Sequence, residues 1–332
     1  MLSLMLIAVI VIALTFDLIN GFHDTANAIA TSVSTRVLTP RIAVMMAAAA
    51  NFIGAVFLST GVAETISKGL VNGALEQYVI VAALLAAIIW DLITWYLGIP
   101  SSSSHALIGG LVGAAVVYAA SFEKVVWSGV LDKVVIPLVT SPLVGFVFGF
   151  LIMKALFKIC ARSTRMAVHK VFSVLQIISA FFMALSHGSN DAQKSMGIIT
   201  LALVSAGLLD QSAGIPLWVI VACATAMAIG TSVGGWKIIK TIGVNMIKLE
   251  PINGFAAETG AAIVIQVMTA LKAPVSTTHV ISAAIMGVGA SKRLSAVRWS
   301  LVKNIVTSWF VTIPATMLLG AGITFLMQLF MG

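Results

Sequence analysis

Apolar residues run almost without interruption along the chain, broken by short polar or Gly- and Pro-bearing stretches. A helix that crosses a bilayer needs roughly 20 mostly apolar residues. About ten stretches approach that length by hydropathy pattern. They lie near 2–20, 42–62, 78–97, 104–120, 134–157, 171–186, 197–235 (two spans split near Asp210–Pro216), 256–271, 279–290 and 301–330. The short ones, 104–120 and 279–290, read as the arms of re-entrant helical hairpins. The last contains Pro314, which predicts a kink. The runs are continuous rather than alternating, so the pattern predicts helices and not an outer-membrane barrel. Residues 1–16 carry no basic leading segment and read as the first span, not as a cleaved leader.

Composition agrees. The 332 residues are 60% hydrophobic and 9% charged, with a mean hydropathy of +1.10. Soluble domains carry about 25% charged residues. This excludes a soluble enzyme, a disordered chain, a collagen-like fibre and a disulfide scaffold. The expected fold class is all-α: a polytopic integral membrane protein. Cys160 and Cys223 form no spacing motif and carry no redox role.

The net charge of +8 orients the chain rather than pointing to nucleic acid. With the N-terminus outside, most of the 19 Lys and Arg fall in inner loops: Arg36 and Arg41; Lys154, Lys158, Arg162, Arg165 and Lys170; Lys237, Lys240 and Lys248; Lys292, Arg293, Arg298 and Lys303. Outer loops keep Lys68, Lys124 and Lys133. Both termini are then outside.

Two strings recur. Gly21-Phe22-His23-Asp24-Thr25-Ala26-Asn27 resembles Gly188-Ser189-Asn190-Asp191-Ala192-Gln193-Lys194, and Pro100-Ser101-Ser102-Ser103-Ser104-His105-Ala106 resembles Pro274-Val275-Ser276-Thr277-Thr278-His279-Val280. Glu76 and Glu250 share the spacing of the second pair. The expected organisation is an N-terminal repeat (1–157), a basic cytoplasmic linker (158–170) and a C-terminal repeat (171–332). About five segments per repeat is an odd number, so the second repeat enters the membrane inverted, as in many secondary transporters.

Ionisable groups at membrane depth cost about 2.5–3.5 kcal/mol each on insertion scales, which makes them functional candidates. Asp17, Asp24, Asp91, Asp191, Lys194 and Glu258 qualify by position. Asp191 and Lys194 could simply pair with each other. Gly21 and Gly188 suggest that the helix breaks beside Asp24 and Asp191, freeing carbonyls to complete a cation shell. Carboxylate and amide oxygens suit Na⁺; a proton on a carboxylate is the alternative. Asp91 and Glu258 are not duplicated: their equivalents are Ile265 and Leu84. Each could add a cation site to one half or serve as a structural anchor. Glu64, near the outer surface, reads as solvated or locally paired.

The second string has another logic. Pro100 and Pro274 suit a helix start, and Ser102, Ser103, Ser104, Ser276, Thr277 and Thr278 bring hydroxyls to it. Free N–H groups and the positive dipole end make a helix N-terminus an anion site. Plain N-capping is the bland reading. Two such tips meeting at mid-depth favour an anion. His105 and His279 could touch the anion or shuttle protons, but read best as structural. Gly109/Gly113, Gly145/Gly149 and Gly230/Gly234 predict close helix packing. No Walker or Rossmann loop and no nucleophile–base set occurs, so no enzyme is expected.

The Asp24 and Asp191 strings, Asp91-Leu92-Ile93-Thr94-Trp95, both hydroxyl strings and Gly234-Gly235-Trp236-Lys237 together resemble the signatures of the inorganic phosphate transporter (PiT) family. The likeness spans the whole chain. His23 stands where that pattern usually has Asn. The resemblance implies a secondary active importer of inorganic phosphate driven by sodium symport or by protons. It also implies a shared site from the two motif pairs, transport roles for Glu64 and Glu258, and a homodimer. The expectation is sodium symport with alternating access. Phosphate would sit on Ser102, Ser103, Ser104, Ser276, Thr277 and Thr278, with Asn27, Asn190 and Gln193. Cations would sit at Asp24, Asp191 and Glu258, with coupling or structural roles for Glu64, Asp91, His105, His279 and Lys194. Proton-coupled phosphate or metal–phosphate transport and a sulfate or other oxyanion carrier are the alternatives. The expected partners are phosphate, sodium and lipid, with no nucleic acid, in the inner (plasma) membrane.

Overall fold

A computed structural model describes residues 3–73 and 75–331. Twelve helical elements account for most of them, and an isolated bridge between Val71 and Val125 is the only β pairing among the described residues. They are α1 Leu4–Ser34, α2 Pro40–Phe57, α3 Gly61–Lys68, α4 Gln77–Leu97, α5 Ser103–Ala119, α6 Trp127–Ile159, α7 Arg165–Ser205, α8 Leu217–Val233, α9 Trp236–Asn245, α10 Pro251–Ala270, α11 Thr277–Lys292 and α12 Trp299–Met331. Short π-helical stretches lie inside α6 (Leu131–Val135) and at the end of α9 (Lys240–Asn245). Six helices among the described residues are long and apolar enough to cross a membrane; α8 and α9, bent by 65°, together make a possible seventh.

The same order of elements occurs twice: α1 to α6, then α7 to α12. The packing repeats with an exchange between halves. Helix α1 packs on α8, and α7 packs on α2. Helix α5 packs on α12, and α11 packs on α6. Each half therefore completes its core with helices of the other. The predicted glycine pairs lie on these seams. A Cβ at Gly109 would meet Ile313, one at Gly113 the Met317 carbonyl, one at Gly145 the Val280 carbonyl, and one at Gly149 Ala284. Gly230 packs against Leu18 in the same way, but Gly234 has φ +80° and forms the bend between α8 and α9 instead.

Several expected boundaries change. The stretches 171–186 and the start of 197–235 are one helix, α7, of 41 residues. At 1.5 Å per residue it is about 60 Å long, twice the hydrocarbon thickness. Helices α1 and α7 run unbroken through Gly21 and Gly188. The glycines do not break the helix; they admit a neighbour. Gly21 faces Gly230 and Thr231 of α8, and Gly188 faces Asn51 of α2. Freed carbonyls are therefore not part of the Asp24 or Asp191 surroundings.

Helices α4–α5 and α10–α11 form two helical hairpins. Helices α4 and α10 start from equivalent N-caps, Glu76 and Glu250. They end at equivalent left-handed residues, Gly98 (φ +68°) and Lys272 (φ +58°). Pro100 and Pro274 lie in the turns that follow, not in the helices. The caps of α5 and α11 are Ser102 and Ser276, whose hydroxyls accept from the His105 N–H (3.3 Å) and the His279 N–H (3.2 Å). At 17 and 16 residues these arms are shorter than a span needs.

Two apolar cores lie above and below one polar layer. One core takes Leu6–Phe16 of α1 and Ala192–Leu203 of α7; the other takes Ala26–Ala30 of α1 and Phe172–Ala184 of α7. Between them, midway along both helices, sit Asp17, Asn20, His23, Asp24, His187, Ser189, Asn190 and Asp191, all buried.

Candidate functional site

The hairpin tips meet at this polar layer. Ser104 Oγ donates to the Val275 carbonyl of the opposite hairpin at 3.0 Å. The rings of His105 and His279 lie 5.0 Å apart, and His279 stacks on Trp309 at 4.1 Å. Both histidines are buried, and neither His279 nitrogen has a hydrogen-bond partner. They join the tips by ring packing rather than by hydrogen bonds.

The carboxylate strings of α1 and α7 approach the tips from the side. Asn27 Nδ2 donates to Thr278 Oγ1 at 2.8 Å and to Thr277 Oγ1 at 3.4 Å. Asp191 Oδ2 accepts from Thr277 Oγ1 at 3.3 Å. Asp24, Asp191 and His187 each offer a ligand atom, all within 4.8 Å of one another, so the two duplicated acids converge on one place. Asp24 Oδ1 pairs with His23 Nδ1 at 2.6 Å, and Asp191 Oδ1 with Lys194 Nζ at 2.8 Å.

The residue before each acid anchors its helix to a hairpin of the same half. His23 Nε2 lies 3.0 Å from Thr94 Oγ1 of α4. At the equivalent place, Asn190 Nδ2 donates to Thr269 Oγ1 of α10 at 2.8 Å. An imidazole in one half and an amide in the other thus do the same positioning. No local sequence pattern marks Thr269, whose partner is 79 residues away.

Other expected site residues lie elsewhere. Gln193 faces α3: its Oε1 accepts from the Val62 and Ala63 N–H groups, at 2.8 and 3.1 Å, and its Nε2 donates to Ser189. Its oxygen is therefore committed to capping α3 and its nitrogen to a carbonyl of its own helix. Ser102 and Ser276 are also occupied as N-caps, leaving Ser103, Ser104, Thr277 and Thr278 as the hydroxyls facing the junction. Ser103 Oγ is buried without a partner, as are both carboxylate oxygens of Asp91 and the amide oxygen of Asn27. The Asn190 amide oxygen and Ser189 Oγ are likewise without partners; buried polar groups rarely stay unpaired, so these are among the atoms with bonding capacity to offer a ligand.

Glu258 sits apart from the tips. Its carboxylate is held by Thr31 of α1 and by Ser179 and Gln176 of α7, the last at 3.4 Å. Two helices converge on a single acid of a third. Sequence reading found the acid but not its holders, which are 79 to 227 residues distant. Asp17 forms a further buried pair, accepting from Ser195 Oγ at 2.6 Å. Glu64 is at the surface, paired with Lys272 at 2.9 Å.

Short helices from one half brace the hairpin of the other. Thr65 of α3 donates to the Lys272 carbonyl at 2.7 Å, and Thr241 of α9 donates to the Gly98 carbonyl at 2.9 Å. Each bond caps the left-handed residue that ends a hairpin's first arm, so movement of α3 or α9 is coupled directly to a tip.

What this arrangement can do chemically is defined by its parts. Two helix N-termini with hydroxyls offer N–H and O–H donors to an anion. Acids beside them offer oxygen to cations. The groups lie at mid-depth between two apolar cores, away from either water-exposed end.

A sequence model of the phosphate transporter family matches residues 20–320. A Bacillus subtilis (strain 168) protein named "probable low-affinity inorganic phosphate transporter" is 49% identical over 332 residues, covering 99% of this chain and 98% of its own. A Rhizobium meliloti (strain 1021) protein of the same name is 49% identical, covering 96% of this chain and 95% of its own. Among solved structures, one titled "The sodium-dependent phosphate transporter" superposes with a TM-score of 0.85 at 25% identity, covering 98% of this chain and all of that one.

Proposed function

The chain belongs to the phosphate transporter family, a multi-pass membrane transport protein rather than an enzyme, and on that premise we propose that it imports inorganic phosphate by sodium symport with alternating access. One observation carries this reading. The hydroxyl-bearing tips of both hairpins and the acids Asp24 and Asp191 converge on one buried junction. Phosphate is held there by Ser103, Ser104, Thr277 and Thr278 with the N–H groups of the tips; Asn27 orients Thr277 and Thr278, and Asn190 fixes α7 to α10 through Thr269. Cations at the carboxylates of Asp24, Asp191 and Glu258 offset the anion's charge, which matters most at low dielectric. Without cations, phosphate meets uncompensated carboxylates and binds weakly; this is the coupling.

The exchanged packing of α1–α6 and α7–α12 supports an inverted repeat, divided at the basic linker, with re-entrant hairpins that rock between two openings. Arg165, Lys248, Lys292, Arg293 and Arg298 line one cleft of about 700 Å³. Three basic loops thus share one end, which supports a cytoplasmic face there and termini outside in the inner membrane. The resemblance to the family extends the reading to a homodimer.

Proton coupling is a second reading with its own observation: each duplicated acid has an imidazole close by, His23 on Asp24 and His187 at 3.5 Å from Asp191. Radiolabelled phosphate uptake into liposomes holding the purified protein tests both. Uptake driven by a sodium gradient alone supports symport with sodium. Uptake that follows a pH gradient and ignores sodium transfers the coupling to protons. Suppression by excess sulfate would indicate a general oxyanion carrier.

A further inference from the structure

The two halves of the duplicated motif differ at several positions, and one of them adds a permanent cation beside the acid. Asp24 and Asp191 are equivalent, and three residues on, Asn27 in the first half is replaced by Lys194 in the second. Both side chains are buried at the polar layer. Asn27 uses its Nδ2 on the opposite tip and leaves its Oδ1 without a partner. It therefore presents an oxygen beside Asp24, as a cation shell requires. Lys194 presents no acceptor at all. Its ammonium turns onto the acid of its own helix, 2.8 Å from Asp191 Oδ1, with side-chain exposures of 1% and 0%.

We infer that the Lys194 ammonium is a resident cation: it occupies the place at Asp191 that an exchangeable cation would take, so the second half of the duplicated site carries no transported ion. The inference rests on the proposed sodium symport and fixes which half of the site does the coupling. A buried carboxylate is costly unless paired. Here the pairing is covalently tethered and cannot leave with the substrate. A sodium ion arriving at Asp191 would meet an ammonium within contact distance of the same oxygen, and like charges at that range repel strongly in a site shielded from water. Asp24 pairs instead with the His23 imidazole at 2.6 Å, which is a cation only when protonated, whereas the Lys194 ammonium is a resident charge. The exchangeable cation of the duplicated pair therefore belongs to Asp24, with the Asn27 amide oxygen beside it. The resident charge has a second consequence. The Asp191 carboxylate is neutralised in every state, so an anion there meets one uncompensated acid fewer before any ion binds.

The test compares sodium-to-phosphate flux ratios by dual isotope labelling in proteoliposomes. Lys194→Asn restores the first-half pattern to the second half. The expected result is a ratio higher by about one sodium per phosphate, with a steeper sodium dependence than the wild type. A transporting Lys194→Asn protein with the wild-type ratio overturns the proposal. Should that variant fail to fold, Lys194→Gln, which keeps more of the lysine's length and also removes the ammonium, replaces it with the same expected rise of about one sodium per phosphate; a wild-type ratio in a transporting Lys194→Gln protein overturns the proposal. Failure of the underlying function is seen separately, in the wild type alone, as the absence of sodium-driven phosphate uptake.

Discussion

Asn27 of the first half reaches Thr278 of the second, its Nδ2 lying 2.8 Å from the hydroxyl oxygen. This bond crosses the two halves at the level of the acids. It ties the middle of α1 to the tip of the α10–α11 hairpin, so the tip's position depends on a helix from the other repeat.

Thr278→Val keeps the shape of the side chain and removes the hydroxyl. Hydrogen bonds to charged groups contribute about 1.5–3 kcal/mol. The expected outcome is a rise of about tenfold or more in the KM for phosphate, with the protein still monodisperse in detergent. Asn27→Ala should act on the same partner, so the double variant should lose less than the two single losses combined. Strict additivity in uptake kinetics would separate the two residues.

Glu258 is surrounded by Thr31, Ser179 and Gln176. Ser179→Ala withdraws one donor from a buried carboxylate and should cost about 1–3 kcal/mol, visible as a lower melting temperature. Glu258→Gln keeps the volume and removes the charge. Its sodium-driven uptake should fall at least tenfold while the folded protein persists. Wild-type uptake by that variant would make Glu258 a structural anchor only.

Two glycines on α12 should respond oppositely to alanine. A Cβ at Gly320 would run into the backbone of Gly110 on α5, whereas nothing lies within 4 Å of one at Gly322. Gly320→Ala should destabilise by about 1–3 kcal/mol through overpacking. Gly322→Ala should be neutral or stabilise by up to about 1 kcal/mol through helix propensity. Thermal unfolding of the two purified variants decides; similar shifts would mean that the α5–α12 seam is looser than described.

The ion pair between Glu64 and Lys272 has side-chain exposures of 41% and 58%. Exposed pairs contribute about 0–1 kcal/mol. Glu64→Gln should leave the melting temperature nearly unchanged yet reduce uptake severalfold, because α3 braces the α10–α11 tip through this corner. If stability and uptake fall together, the pair is structural.

Much of this was readable from local pattern. The apolar runs gave the all-helical membrane fold, and the recurring strings lie at matching places in the series α1–α6 and α7–α12. The failures were also local in origin. Gly21 and Gly188 suggested helix breaks, since glycine weakens a helix. In the fold each is a point of close approach, and packing outweighs the propensity. The unbroken length of α7 was hidden because its polar middle, His187 to Lys194, interrupts the hydropathy while leaving the helix intact. The contacts of Gln193 with the first turn of α3 were not legible either, because those N–H groups lie 130 and 131 residues away in sequence.

The sequence by itself determined the membrane class, the duplicated motifs and the chemical types available at the centre, because hydropathy, capping and repetition act between near neighbours. Only the tertiary structure decided which polar group meets which partner: His23 with Thr94, Asn27 with Thr278, Asp191 with Thr277, and Glu258 with Thr31 and Ser179. Those pairings join residues 71 to 251 positions apart. They follow from each half packing into the other, and that exchange is set by the fit of small-residue seams across whole helices, which no short stretch of sequence encodes.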